Sequence, residues 1–184
     1  EVNFLVNYTP KRKMVGYGVD RIDVDLNYPR FFVSYSQGLK GVFDSDFNYS
    51  KLQLYYRQPL LIGGFGRLFS TLEIGKTFGA VPLSLMGVIP GNQSYFIIDN
   101  TYNLLNYYDF VADQYTSLHL EHNFNGKLFS RIPLLRKLNW REIIGVKAVY
   151  GSVSKENIAL NASGQSYQAP VDGYYEYSAG IGNL

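Results

Sequence analysis

Any chemistry in this chain would have to start from His119, Glu121 and His122, its two histidines and the carboxylate between them. Imidazole and carboxylate together are the donor set of a zinc site or of an acid–base pair. The residues around them alternate between polar and apolar, however, and in a strand His119 and His122 face opposite sides and cannot grip one ion. His119 and Glu121 share a side and are left as a polar pair. Serine chemistry fails as well: no G-x-S-x-G elbow occurs, the serines are scattered, and only two histidines could serve as base. The Gly-rich stretch 60–68, LLIGGFGRL, lacks the Lys-Ser/Thr end of a phosphate-binding loop and leads into no helical pattern, so it reads as a turn. The expectation is a protein with no catalytic residue, no cofactor and no metal ligand.

The elements that must position these side chains are strands. Residues 113–151, DQYTSLHLEHNFNGKLFSRIPLLRKLNWREIIGVKAVYG, predict two long strands joined by a basic, Pro-containing turn. Before the turn, Tyr115, Ser117, His119 and Glu121 share one parity, while Leu118, Leu120, His122 and Phe124 share the other. After it, Trp140, Ile144, Val146, Ala148 and Tyr150 oppose Arg141, Ile143, Gly145 and Lys147. Trp140 and Tyr150 thus frame one apolar run. Ten residues at about 3.3 Å each span roughly 33 Å. Tilted by about 40°, that run covers roughly 25 Å, the height of the lipid-facing band of a membrane barrel between its aromatic girdles. The turn at 128–138 sets Arg131, Arg136 and Lys137 among leucines, and reads as a short amphipathic helix at a membrane surface or as a structured turn.

The rest of the chain repeats the pattern. Residues 1–9 predict a strand ended by Pro10, and Lys11, Arg12 and Lys13 a solvated rim. Between 15 and 26 the apolar parity switches from Val15, Tyr17 and Val19 to Ile22, Val24 and Leu26, which a bulge or loop near Asp20 would explain. Strands are expected over 30–38, 46–57 and 67–78, with Pro59 and Gly63, Gly64 and Gly66 marking a turn. Arg67 and Glu73 point to the polar side of the third. Residues 79–112 break the alternation, carry Pro82 and Pro90, and are the most apolar region. They predict a plug-like segment folded over or into a barrel, with a short strand around 95–100, or else two ordinary strands and their loops. Residues 152–173 read as a polar loop. The last strand, 174–182, sets Tyr175, Tyr177, Ala179 and Ile181 against Tyr174, Glu176, Ser178 and Gly180.

Composition agrees with strands that are not all in water. Charged residues make up 17% of the 184, below the roughly 25% of a soluble domain, and 17 tyrosines suit surfaces where apolar meets wet. A net charge of +2 argues against nucleic acid, and the absence of cysteine rules out a disulfide framework. No apolar run is long enough for a membrane helix, which leaves a barrel untouched. The chain starts at Glu1 without a leader and reads as part of a longer protein.

The stretches FNGKLFSRIPLLRKLNWREIIGVKAVYG, DFVADQY, YPRFFVSYSQGLKGVFDSDFNYSKL and YYEYSAGIGN resemble the C-terminal barrel of large Bacteroidetes outer-membrane proteins of unknown function. Their full chains carry a carboxypeptidase-regulatory-like domain before the barrel. The resemblance spans nearly the whole chain, with the turn 124–140 its most specific part, and extends distantly to the surface-antigen barrels BamA and TamA. It implies an antiparallel all-β meander forming part of a transmembrane barrel, about 8 to 10 strands of a larger and here incomplete one. No arginine lies between Arg67 and Arg131, so the VRG-type tip of the in-folded loop of those barrels is missing and no insertase or secretion role is carried over.

The chain is therefore expected to be one partial-barrel domain over 1–184 in an outer membrane, with a structural or transport-related role and no catalysis. Membrane lipid and an unidentified protein are its expected partners. Trp140, Tyr150, Phe124, Tyr175 and Tyr177 would be its interface aromatics, and Arg67, Glu73, His119, Glu121, Arg141, Lys147 and Glu176 its lumenal polar residues. The alternative is a soluble sandwich or lipocalin-like protein that binds carbohydrate or lipid through tyrosine-rich surfaces.

Overall fold

The computed structural model describes residues 1–24, 27–42, 46–96, 98–162 and 167–183. Leu26 of the parity switch, Ile97 of the strand expected around 95–100 and residues 163–166 of the polar loop lie outside the described residues. The protein is all-β. Its main sheet holds seven antiparallel strands in sequence order: β1 Val2–Tyr8, β2 Arg30–Gly38, β3 Tyr49–Leu61, β4 Arg67–Phe78, β5 Gln114–Asn123, β6 Arg141–Ser152 and β7 Tyr174–Gly182. Among the described residues β1 pairs with β2 alone and β7 with β6 alone, so the sheet is open.

The alternation in the sequence sets the register. Val6, Val33, Leu54 and Ile74 align across β1 to β4 on one face. Leu120, Val146 and Tyr177 continue that face across β5 to β7. The opposite face aligns Arg57, Thr71, His119, Lys147 and Glu176. A slip of one residue would exchange the faces, so the pattern specifies the pairing strongly. On the apolar side Tyr8, Phe31 and Tyr56 form a ring ladder with centroids 6.3 and 4.8 Å apart, a cross-strand contact of the kind that holds sheets together.

The structure changes some local expectations and decides others. β3 runs through Pro59, which pairs with Phe69, instead of turning there. Opposite β3, β2 ends at Arg30, the partner of Arg57, so the strand has a free flank beyond that point, and such an edge tolerates a residue without an N–H. Residues 14–23 form a two-residue ribbon, Met14–Val15 with Ile22–Asp23, whose turn has the Asp20 N–H donating to the Tyr17 carbonyl. Arg12, from the run read as a solvated rim, forks onto Asp23 at 2.5 and 3.0 Å, and this bond holds the Asp23 carboxyl below its ordinary value. The turn 124–140 is two 3-10 turns, Phe129–Arg131 and Arg136–Leu138, with no α-helix between them. The polar loop contains a short helix, α1, at Lys155–Leu160.

The β3–β4 turn is fixed by Gly66, whose φ is +101° and where a Cβ would stand 1.9 Å from the carbonyl oxygen of Asn123. His122 supports the same turn by a 2.9 Å contact with the Phe65 carbonyl. Gly66→Ala should lower the unfolding free energy by about 2 kcal/mol or more, because strain at positive φ adds to a backbone clash. Gly63, at φ +49° with open space around it, should cost about 1 kcal/mol on the same change. Denaturant titration of both variants checks this, and equal losses would refute the role given to the Asn123 contact.

Candidate functional site

The buried apolar residues are not found between two sheets. Apart from Tyr28, they lie where the irregular segment after β4 crosses the polar face of the main sheet. Ile89, Tyr102 and Leu105 from that segment cluster with Val149 of β6, and Phe110, Tyr115 and Tyr174 pack around them. A second cluster joins Val81, Met86 and Val111 to Tyr49. The segment supplies its own short ribbon, Gly87–Val88 with Val111–Ala112, and no strand forms over the described residues of 95–100.

Its central peptide is gripped from two neighbouring strands. Glu176 of β7 is buried, and its carboxylate accepts the N–H groups of Asn103 at 2.8 Å and Leu104 at 2.9 Å and the hydroxyl of Tyr174 at 2.9 Å. Lys147, its cross-strand partner, lies 4.0 Å from that carboxylate and donates to the Thr101 carbonyl at 2.7 Å. Each charge thus holds one side of the 101–104 backbone. Between them Tyr102 is fully buried, its hydroxyl donating to the Ala148 carbonyl at 2.7 Å and lying 2.9 Å from the Ser117 hydroxyl. Its ring packs 4.8 Å from that of His119. Burial pushes the Tyr102 hydroxyl above its ordinary pKa, so it remains a donor. On the β3 side, Asp99 pairs with Arg57 at 3.6 Å and Asn100 donates to the Tyr55 hydroxyl at 3.1 Å.

The two ends of the segment are tied down through α1. Asn157, almost fully buried, accepts the Val81 N–H at 2.8 Å and donates to Asp113 at 2.9 Å. Asn161 accepts the Leu83 N–H at 2.8 Å and donates to the Val81 carbonyl at 3.0 Å. These groups meet the rule that buried polar atoms need partners. They can hold a chain segment in place. Among the described residues no three His, Asp or Glu side chains converge as a metal site would require.

The register puts Arg67, Glu73, His119, Glu121, Arg141, Lys147 and Glu176 on this polar face, and the segment meets Lys147, Glu176 and His119 directly. Glu73 accepts the Tyr115 hydroxyl at 2.5 Å. His122, on the other face, stacks edge-on against Phe124 at 4.3 Å. Tyr150, Tyr175 and Tyr177 project from the apolar face and are exposed. Trp140 and Phe124 fall just outside their strands and are half-buried, Trp140 against Phe129 at 6.3 Å. Sequence reasoning missed Tyr102, Asn157 and Asp113, because their partners lie 15 to 76 residues away and much of the bonding is to backbone.

The apolar face has no such cover. Phe4, Val6, Ile144, Tyr150 and Tyr177 on it are exposed. Among its described strand residues the only Asp, Glu, Lys or Arg are Lys76, whose ammonium lies 5.0 Å from the Phe78 ring centroid, and Glu142. Both stand near strand ends. Glu142 is buried and accepts the Phe129 N–H from the 124–140 turn.

Fold and site together define an all-β protein with an open antiparallel meander, a bare apolar face, and a polar face covered by its own irregular segment. The model of the C-terminal domain of a family of unknown function, DUF5686, matches residues 1–181, and the chain belongs to that family. No curated protein and no solved structure matches it.

Proposed function

We propose that this domain is a membrane-spanning part of an outer-membrane β-barrel, with a structural or transport-related role and no catalysis. The observation that carries the reading is the inversion of the two faces. A sheet in a soluble sandwich turns its apolar face to a second sheet and its charges to water. Here the apolar side is bare across seven strands, while the charged side receives a covering segment. An uncovered patch of that extent calls for lipid or a partner surface. Alternation with the apolar residues outward is the pattern of a transmembrane barrel. In this reading the segment over 79–112 is a plug on the lumenal face, and membrane lipid is the main partner, with an unidentified protein as a second. The likeness to Bacteroidetes outer-membrane proteins with an N-terminal carboxypeptidase-regulatory-like domain, and distantly to BamA and TamA, belongs to the same proposal.

The test is fractionation of the full-length protein that carries this domain. The expected result is recovery in the outer-membrane fraction, resistant to carbonate and released by detergent. Recovery as a soluble, detergent-free monomer would overturn the reading in favour of a soluble tyrosine-rich binding protein.

A further inference from the structure

The polar face changes character at the end where the turns 62–66 and 124–140 meet. Where the irregular segment meets the sheet, Arg57 is paired with Asp99 and Lys147 with Glu176. At the end, Arg67 opens β4, Arg141 opens β6, and Lys127 comes from the turn between β5 and β6, and the three line one cavity of about 360 Å³. Among the described residues no Asp or Glu lines that cavity, and none of the three cations is in an ion pair. Two are steered by rings instead. The Lys127 ammonium sits 3.4 Å from the Phe65 ring centroid, and the Arg67 guanidinium 5.8 Å from that of Phe69. A ring face attracts a cation without using its hydrogen bonds, so these donors stay free to meet a ligand.

We propose that this cavity is a binding site for a phosphoryl group carried on a sugar or glycerol body. Three like charges around one cavity repel each other, and an anion relieves that repulsion. Guanidinium forks match phosphate oxygens, and an ammonium adds a third point of attraction. A volume worth roughly twelve waters exceeds what bare phosphate needs. Phe69 and Phe124 give the remainder of the cavity an apolar wall, against which a sugar or glycerol body lies. Gly63, Gly64 and Gly66 line it without side chains, and Lys127 reaches across from the other turn to within 3.5 Å of where a Gly64 Cβ would stand. The site is thus assembled from two turns and two strand ends held together by the Gly66 and His122 contacts.

The phosphoryl group can belong to a soluble ester or to an anionic lipid headgroup, and two arms separate these sources. In the first, the full-length protein in detergent is titrated calorimetrically with glycerol 3-phosphate and glucose 6-phosphate at low salt. In the second, the protein in phosphatidylcholine nanodiscs is compared with nanodiscs containing phosphatidylglycerol, with Trp140, the only tryptophan of these 184 residues and the neighbour of Arg141, as fluorescence reporter after any tryptophan outside them is replaced by phenylalanine. Saturable binding in the first arm assigns a soluble ester, and a response in the second alone assigns a headgroup. In either case Arg67→Gln with Arg141→Gln should weaken binding about tenfold for each guanidinium removed. Lys127→Gln, in the turn between β5 and β6 and outside the strand ladder, should weaken it too, and rising salt should mimic all three. No saturable response in either arm, or binding unchanged in the variants, would overturn the site. Fractionation is independent of these titrations, so failure of the site leaves the membrane reading standing, and the reverse.

Discussion

Replacing Glu176 by alanine should release the irregular segment from the sheet at a cost of about 3–5 kcal/mol, because it strands a partly buried cation and strips a set of buried donors of their acceptor. The carboxylate is 5% exposed and faces Lys147, which is 15% exposed. With it gone, the Asn103 and Leu104 N–H groups and the Tyr174 hydroxyl have no acceptor at that position. Lys147 keeps the Thr101 carbonyl as its hydrogen-bond acceptor and loses its paired carboxylate. The loss falls on docking and not on strand pairing, since the bonds of Glu176 to residues 103 and 104 are not ladder bonds. The expected readout is chymotryptic cleavage after Leu104, Leu105 or Tyr107, faster by roughly a hundredfold to a few thousandfold, as about 3–5 kcal/mol of local opening implies at about 1.4 kcal/mol per tenfold. Glu176→Gln should fall between, because an amide accepts with one atom where a carboxylate accepts with two. Lys147→Met should cost less than Glu176→Ala, since the carboxylate would retain its three other donors. Unchanged cleavage in Glu176→Ala would mean that the apolar cluster around Tyr102 holds the segment without the clasp.

How far the sequence carried this picture depends on the range of the interaction. β4 and β7 run over Arg67–Phe78 and Tyr174–Gly182, the bounds their alternation predicts, because a period of two is a local property. The same period separates His119 from His122. Pro59 misled because its cost depends on whether the neighbouring strand extends opposite it, which no local pattern states. The clasp was invisible for a related reason. Glu176 was legible as a polar-face residue, but its partners are backbone N–H groups 73 and 72 residues earlier, and a backbone donor leaves no mark in sequence. α1 was hidden in a run of polar residues, and its buried Asn157 acts on Val81, 76 residues away. The covering role of residues 79–112 was legible only as a need, since an irregular apolar stretch must be covered by something.

The covering segment and the cationic cavity divide the polar face between them. Where the segment lies, Arg57 and Lys147 have carboxylate partners and an apolar cluster closes over Tyr102 and Val149. Toward the turns 62–66 and 124–140 the segment does not line the cavity, and among the described residues the cations there have no ion-pair partner. A polar face built only to be sealed would have no use for three unmatched cations at one end. Their cost in mutual repulsion is the reason to look for a ligand there and not over the clasp.

Val146→Arg should separate a lipid-facing sheet from a water-facing one with the largest contrast of any single change on the apolar side. Val146 lies mid-strand between Leu120 and Tyr177, with Ile144 and Ala148 before and after it on the same face. In a bilayer an arginine near the midplane costs about 2–4 kcal/mol, falling to about 0–1 kcal/mol near the interface. Gln114→Arg, at the start of β5 and exposed, supplies the interfacial comparison. For a water-facing sheet the side chain at 146, 36% exposed in the native protein, could snorkel, and surface changes of this kind stay within about 0.5 kcal/mol. The measurement is reversible urea unfolding of the full-length protein from lipid vesicles. The expected order is a loss of about 2–4 kcal/mol at 146 and at most about 1 kcal/mol at 114. If both variants unfold at the native midpoint, the apolar face is not in lipid and the inversion of the two faces must be explained by a protein partner that covers it.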